Sequence, residues 1–101
     1  SFFKDTFFPF RSSYKLKIGI KPFQVSLDIF ESAKKDLFVN GLKSTYERDL
    51  GVALIDSLDK LLKKTRIKRS SVRLYEIRSG LGVESAAYKI TSAFAEAVTN
   101  S

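Results

Sequence analysis

Between residues 60 and 78 the chain carries Lys60, Lys63, Lys64, Arg66, Lys68, Arg69, Arg73 and Arg78 against Glu76 alone. Cations at this density suit phosphate recognition. Arg66, Arg69 and Arg73 offer planar, bidentate donors, while Lys63, Lys64 and Lys68 act as point charges. Each phosphate so neutralised releases counterions, which makes this kind of binding fall steeply with salt. Lys15 and Lys17, with Lys21 beyond them, supply a second cationic surface on an alternating segment. Tyr75, set between Arg73 and Arg78, is the aromatic placed to stack on a base. There is no Gly-x-x-Gly clamp and no run of glycines and aromatics of the ribonucleoprotein type, so base-specific readout is not expected. The competing reading makes Lys60, Lys63 and Lys64 a solvated helix face and pairs Arg73 with a strand neighbour. The excess of charge favours nucleic acid as the partner, DNA or RNA undetermined, contacted through its phosphates.

Catalysis has little to work with. Histidine and cysteine are both absent from the chain. That removes imidazole acid–base chemistry, thiol chemistry and the usual zinc ligands. Asp56 and Asp59, and likewise Asp28 and Glu31, stand three residues apart, a spacing that ordinary solvated helix charges explain. The run Ser79-Gly80-Leu81-Gly82-Val83-Glu84-Ser85 is a strand–loop–helix junction whose backbone N–H groups suit an anion. It departs from the dinucleotide fingerprint, with Ser85 in place of the third glycine and Glu84 adding negative charge. A simple turn is the better account of it. The chain is therefore expected to bind rather than catalyse, with no cofactor and no metal.

A second candidate element lies at the amino terminus. Five of the nine phenylalanines, Phe2, Phe3, Phe7, Phe8 and Phe10, fall within the first ten residues. Pro9 breaks any period they might form. A segment this apolar must be covered, either by its own domain or by another subunit. The alternative function is thus a structural or assembly subunit of a virion or ribonucleoprotein, docking a protein partner or a second copy through this arm. Residues 1–13 are read as the arm and 14–101 as one basic domain. No apolar run approaches the ~20 residues of a membrane span. No secretory signal pattern opens the chain. The expected setting is intracellular or virion-associated.

The elements that must position these groups follow from the chain's length and periodicity. The 101 residues are 44% hydrophobic, with 18 basic and 11 acidic side chains and a net charge of +7. A chain of this size buries about 65% of its extended surface, enough for one core. The charge is segregated: residues 28–59 are net acidic, and the segment 60–78 alone carries a surplus equal to the whole. Tyr14, Leu16, Ile18 and Ile20 alternate with polar residues, as do Phe23, Val25, Leu27 and Ile29, which predicts two strands. Lys21-Pro22 suits a loose bend better than a primed hairpin turn, so the second run reads as an edge strand. Phe30, Ala33, Leu37 and Phe38 share a helical face ending at Asn40-Gly41, which predicts a short helix, with a brief strand at 37–39 as the rival. Tyr46, Leu50, Ala53, Leu54, Leu58, Leu61 and Leu62 predict a helix over about residues 45–64. Val72 to Arg78 reads as a strand, inner or bulged. Val83, Ala86, Ala87, Ile90, Phe94, Ala97 and Val98 predict a second helix over about residues 83–99. The fold class is α+β: an antiparallel or mixed sheet of three to four strands, with both helices on one face.

Overall fold

The structure is a computed structural model, and it describes residues 13–100. The phenylalanine-rich arm therefore lies outside the described residues. Four strands, β1 (Tyr14–Lys21), β2 (Gln24–Glu31), β3 (Leu37–Thr45) and β4 (Val72–Ser79), form one sheet in the order β3-β2-β1-β4. The first three are antiparallel, whereas β4 runs parallel to β1. Helix α1 (Leu50–Thr65) crosses from β3 to β4, and α2 (Ala86–Thr99) follows β4. The α+β class, the mixed sheet and the two helices agree with the sequence expectation.

Alternation explains why the helices sit where they do. Leu16, Ile18 and Ile20 of β1 and Val25, Leu27 and Ile29 of β2 are buried beneath the helices. They meet Leu50, Leu54, Leu58 and Leu61 of α1 and Ala95 and Val98 of α2. The other sheet face carries Lys15, Lys17, Asp28, Phe30 and Glu76, all half-buried. Both helices begin at a side-chain cap. Asp49 Oδ1 accepts from the Val52 N–H at 3.0 Å, and Ser85 Oγ accepts from the Tyr88 N–H at 3.1 Å. Such caps satisfy donors that a helix start leaves unpaired.

Three expectations need correction. Pro22 and Phe23 form a tight two-residue hairpin turn, with Lys21 opposite Gln24. Phe23 takes a φ of 64°, so proline serves the first turn position and a left-handed residue the second, the pattern of a type II turn rather than a primed one. The second run is consequently an inner strand. The short helix over 30–38 does not form either. The period of two in β2 continues to Glu31, and after one 3-10 turn Lys35 and Asp36, both at positive φ, reverse the chain into β3. Asn40-Gly41 lies inside β3 instead of ending a helix. Gly41 opposes Asp28, whose carboxylate occupies the space that a Cβ would need.

The third correction concerns α2. Its buried residues are Thr91, Ala95 and Val98, about a quarter turn from the face that the spacing suggested. Thr91 fits because its hydroxyl donates to the Ala87 carbonyl at 2.9 Å. Ala86, Ile90 and Ala97 are left exposed.

Candidate functional site

The middle of the basic segment, residues 63–73, folds into one pole of the molecule, while Lys60 and Arg78 lie towards the other end of the sheet. Lys63 and Lys64 occupy the last turn of α1, where the carbonyl end of the helix attracts cations. Arg66 is its C-cap, Arg69 lies on the 3-10 turn that follows, and Arg73 begins β4. Pairing with β1 jumps from Val72 to Leu74, so Arg73 is the extra residue of a bulge. Lys60 and Lys63 are not free, since Asp56 and Asp59 hold them at 3.1 and 3.0 Å across one helical turn. Exposed pairs of this kind contribute about 0.3–0.5 kcal/mol each. Lys64, Arg66, Lys68, Arg69 and Arg73 have no carboxylate partner among the described residues.

Arg66 adopts a left-handed φ of 60° while fully exposed. Glycine is the usual residue there, because a Cβ in this region costs about 1 kcal/mol or more. Arg66→Gly is expected to raise stability by about 0.5–1 kcal/mol, the relief of strain less the extra entropy of glycine. A urea titration reads this directly, and a lowered midpoint would contradict it.

The second cationic surface is partly offset by carboxylates. Lys15 and Lys17 do lie beside β4, as a continuous patch requires, but their neighbour there is Glu76. Lys15 Nζ is 3.5 Å from Glu76 and 3.4 Å from Asp36. Lys17 stands opposite Glu76 in the register, with its ammonium 5.0 Å from the centre of the Phe30 ring. Arg78 also reaches Glu76, at 3.4 Å. Tyr75 does not face outwards beside the arginines. In register with Leu16, it packs against the core on the helix side, and its hydroxyl points to Glu96 at 3.5 Å.

The Lys17 ammonium, and after it Arg78 and Lys15, hold the Glu76 carboxyl below the ordinary carboxylate range. A group lowered in the folded state stabilises above its unfolded pKa and ceases to do so as the pH falls through the folded value. Glu76→Gln should therefore flatten the loss of stability on acidification below about pH 4.5, the ordinary carboxyl value. Thermal unfolding of both proteins between neutral and acidic pH checks this. An unchanged acid limb would remove Glu76 from the account.

Gly80 and Gly82 make a turn. Ser79 Oγ accepts from the Leu81 N–H at 2.9 Å, the Ser85 N–H donates to the Gly82 carbonyl at 2.9 Å, and Ser85 caps the helix that follows, so local groups take up these donors of the junction. Among the described residues, no cluster of three or more acidic side chains is arranged to hold a metal ion. None of their helices is long and apolar enough to cross a membrane.

The strand order and the helix placement recur elsewhere. YeaZ from Pseudomonas aeruginosa superposes on 87% of this chain with a TM-score of 0.67 and 14% sequence identity. The two share a fold. The match takes in 39% of the YeaZ chain, so this sequence spans well under half of that protein's length. No protein-family model and no curated protein sequence matches the chain.

A surface absent from the sequence reading completes the picture. Of the fourteen residues of α2, Lys89 and Glu96 alone are charged. Its outer stripe, Ala86, Ile90, Ala93 and Ala97, is apolar and exposed. Alongside runs α1: a Cβ on Gly51 would lie 3.9 Å from Ile90 Cγ2, and Ile55, one turn further on, is 63% exposed. Val52 of α1 is 60% exposed and Ile90 43%. The signal was present in the sequence as a helix apolar on more than one side, which a surface helix seldom is.

Proposed function

We propose that this chain is a binding subunit, not a catalyst, and that it pairs with a second copy through the outer faces of α1 and α2. The observation that carries the reading is the outer stripe of α2. A helix facing water on that side should present charge, and instead it presents three alanines and an isoleucine. Small residues allow two helices to approach closely, and Ile55, Val52 and Ile90 supply anchors beside them. The flanking charges favour a copy of the same face. Two antiparallel α2 helices related by a two-fold axis near Ala93 would set Lys89 of one opposite Glu96 of the other. Sedimentation velocity of the full chain over a concentration series tests the proposal, with a monomer–dimer transition expected. A chain that stays monomeric throughout would overturn it. Deleting residues 1–10 separates the other docking element: if that alone abolishes association, the phenylalanine-rich arm is the contact.

A second reading rests on the pole of free cations. We infer that Lys64, Arg66, Lys68, Arg69 and Arg73, with Lys63 beside them, contact nucleic-acid phosphates. Five cations without a carboxylate partner among the described residues, between the end of α1 and the start of β4, support it. About four to five phosphates neutralised would give a log–log salt slope near −3 on single strands and about −4 on duplex. Reversing Lys64, Arg66, Lys68 and Arg69 to glutamate should abolish binding to both probes. Retained binding in that variant, or none in the native chain at low salt, removes this reading. Lys15, Lys17 and Tyr75 are left out of it, because Lys15 is paired with Asp36 and Glu76, Lys17 stands opposite Glu76 and Tyr75 packs inward.

A further inference from the structure

The sheet has one face beneath the helices and one that neither helix covers. On β1 the uncovered face takes Lys15, Lys17 and Gly19, which alternate with the buried Leu16, Ile18 and Ile20. Register carries that face outwards from Lys15. Phe30 of β2 stands opposite Lys15, Phe38 of β3 opposite Phe30, and Leu74 of β4 on the other side of Lys15. One row thus crosses all four strands at the end where β1 begins, and it is apolar except at Lys15. The Phe30 and Phe38 rings meet edge to face, with centroids 5.6 Å apart. Phe38 is nevertheless 55% exposed, and Leu37 and Val39 beside it at the sheet edge are exposed as well. A lone exposed aromatic is ordinary, whereas a cluster of apolar side chains at one place marks a contact surface.

The charges around the row decide what kind of partner suits it. Lys15 is held by Asp36 at 3.4 Å and by Glu76 at 3.5 Å. In the next row Lys17 lies between Asp28 and Glu76, with its ammonium 5.0 Å from the centre of the Phe30 ring. Cations and carboxylates alternate here, so no surplus draws a polyanion to this face. An apolar segment of little net charge fits it better. Residues 1–12 are such a segment, with five phenylalanines and with Lys4 and Arg11 against Asp5. They lead into β1 through Ser13, whose carbonyl accepts from the Ser32 N–H at 2.9 Å. The arm therefore joins the sheet at the same end as the row. Three extended residues span about 10 Å, and so do the two strand spacings that separate β1 from β3. Phe10, three positions before Ser13, is within reach of Phe38.

We propose that the phenylalanine-rich arm folds back over the uncovered sheet face of its own chain, seating Phe10, with Phe7 and Phe8 behind it, on the Phe30–Phe38 pair. The contact lies on the opposite side of the sheet from α1 and α2, so it is independent of pairing through those helices. The chain contains no tryptophan, and Phe38→Trp therefore introduces a single reporter on the row. Acrylamide quenching of its fluorescence is measured in the full chain and in one that also carries Phe7→Ser, Phe8→Ser and Phe10→Ser, with circular dichroism reporting the fold of both. The native arm should shield the indole, and quenching should become about threefold stronger once the phenylalanines are gone, because a ring packed on rings is covered from solvent. The shielding should not change with protein concentration. Nitrogen–proton correlation spectra of the chain without the tryptophan give a second reading. The serine substitutions should shift the amides of Phe30, Phe38 and Val39 and leave those of Ile55 and Ile90 in place. Three results would overturn the proposal: equal quenching with either arm, shielding that is lost on dilution, which would assign the arm to another copy, or shifts confined to the helix face.

Discussion

Changing both Ile55 and Ile90 to aspartate should convert the associating chain to a monomer without unfolding it. The two side chains are 63% and 43% exposed in the single chain, so a charge at either site meets water when the copies are apart. In the proposed pair each would be covered by apolar surface. Burying a carboxylate there without a partner carries a penalty that the pairing cannot offset. Anchor residues at the centre of an interface typically contribute about 2 kcal/mol each, and each change is present in both copies, so the dissociation constant should rise by well over about a thousandfold. Sedimentation reads the association, and circular dichroism confirms the fold. A dimer that persists with wild-type affinity places the contact elsewhere, with the phenylalanine-rich arm as the next candidate. The two-fold geometry makes a sharper demand. Lys89→Glu and Glu96→Lys should each weaken pairing, and the two together should restore it, because the charges exchange across the axis. Failure of the double variant to recover would exclude an antiparallel α2 contact between copies.

Leu54→Ala should have the largest effect on stability. Leu54, in the second turn of α1, is fully buried in the same core as the sheet residues Leu16, Ile18, Leu27 and Ile29. Removing its branched end loses transfer free energy and leaves a cavity that a close-packed interior fills only in part, a cost of about 2–5 kcal/mol. Domains of this size have about 5–15 kcal/mol to lose, so the variant sits near the edge of folding. Chemical unfolding followed by circular dichroism measures it. Ile55→Ala, the next residue along but on the outer face, is the contrast: measured at concentrations low enough for the chain to be monomeric, its expected change is within about 0.5 kcal/mol. Similar costs at the two positions would mean that α1 is rotated from the orientation described here.

Much of this architecture was legible in local pattern. Tyr14 to Ile20 alternate cleanly because β1 has one face under the helices and one outside, and α1 shows its leucine stripe because a single side meets the sheet. β3 was not legible. Leu37, Phe38 and Val39 are consecutive and apolar, and Val39 falls at a pairing irregularity that breaks the alternation. Asn40-Gly41 resembles a helix stop when taken alone. Its place is set by β2, through the hydrogen-bonded ladder and the close approach to Asp28, and no local window contains β2. The orientation of α2 was ambiguous for a different reason. A helix with apolar residues on two stripes satisfies the period either way, and the sheet beneath it decides which stripe is buried.

The cationic chemistry divides in the same manner. The number of charges and their concentration between residues 60 and 78 are properties of the sequence, and so is the lack of histidine and cysteine. Which charges are available is a matter of distance. Coulomb attraction falls with separation, and separation between residues far apart in the chain is fixed by register alone. Parallel pairing of β1 with β4 puts Glu76 beside Lys15 and Lys17, where its single negative charge is shared among them and Arg78 of its own strand. The helix spacing pairs Lys60 and Lys63 with Asp56 and Asp59. Composition and periodicity alone make this chain a basic α+β domain without thiol or imidazole chemistry. Which cations remain free and which face of α2 stays uncovered follow from the fold, because each depends on contacts between segments that no local pattern records.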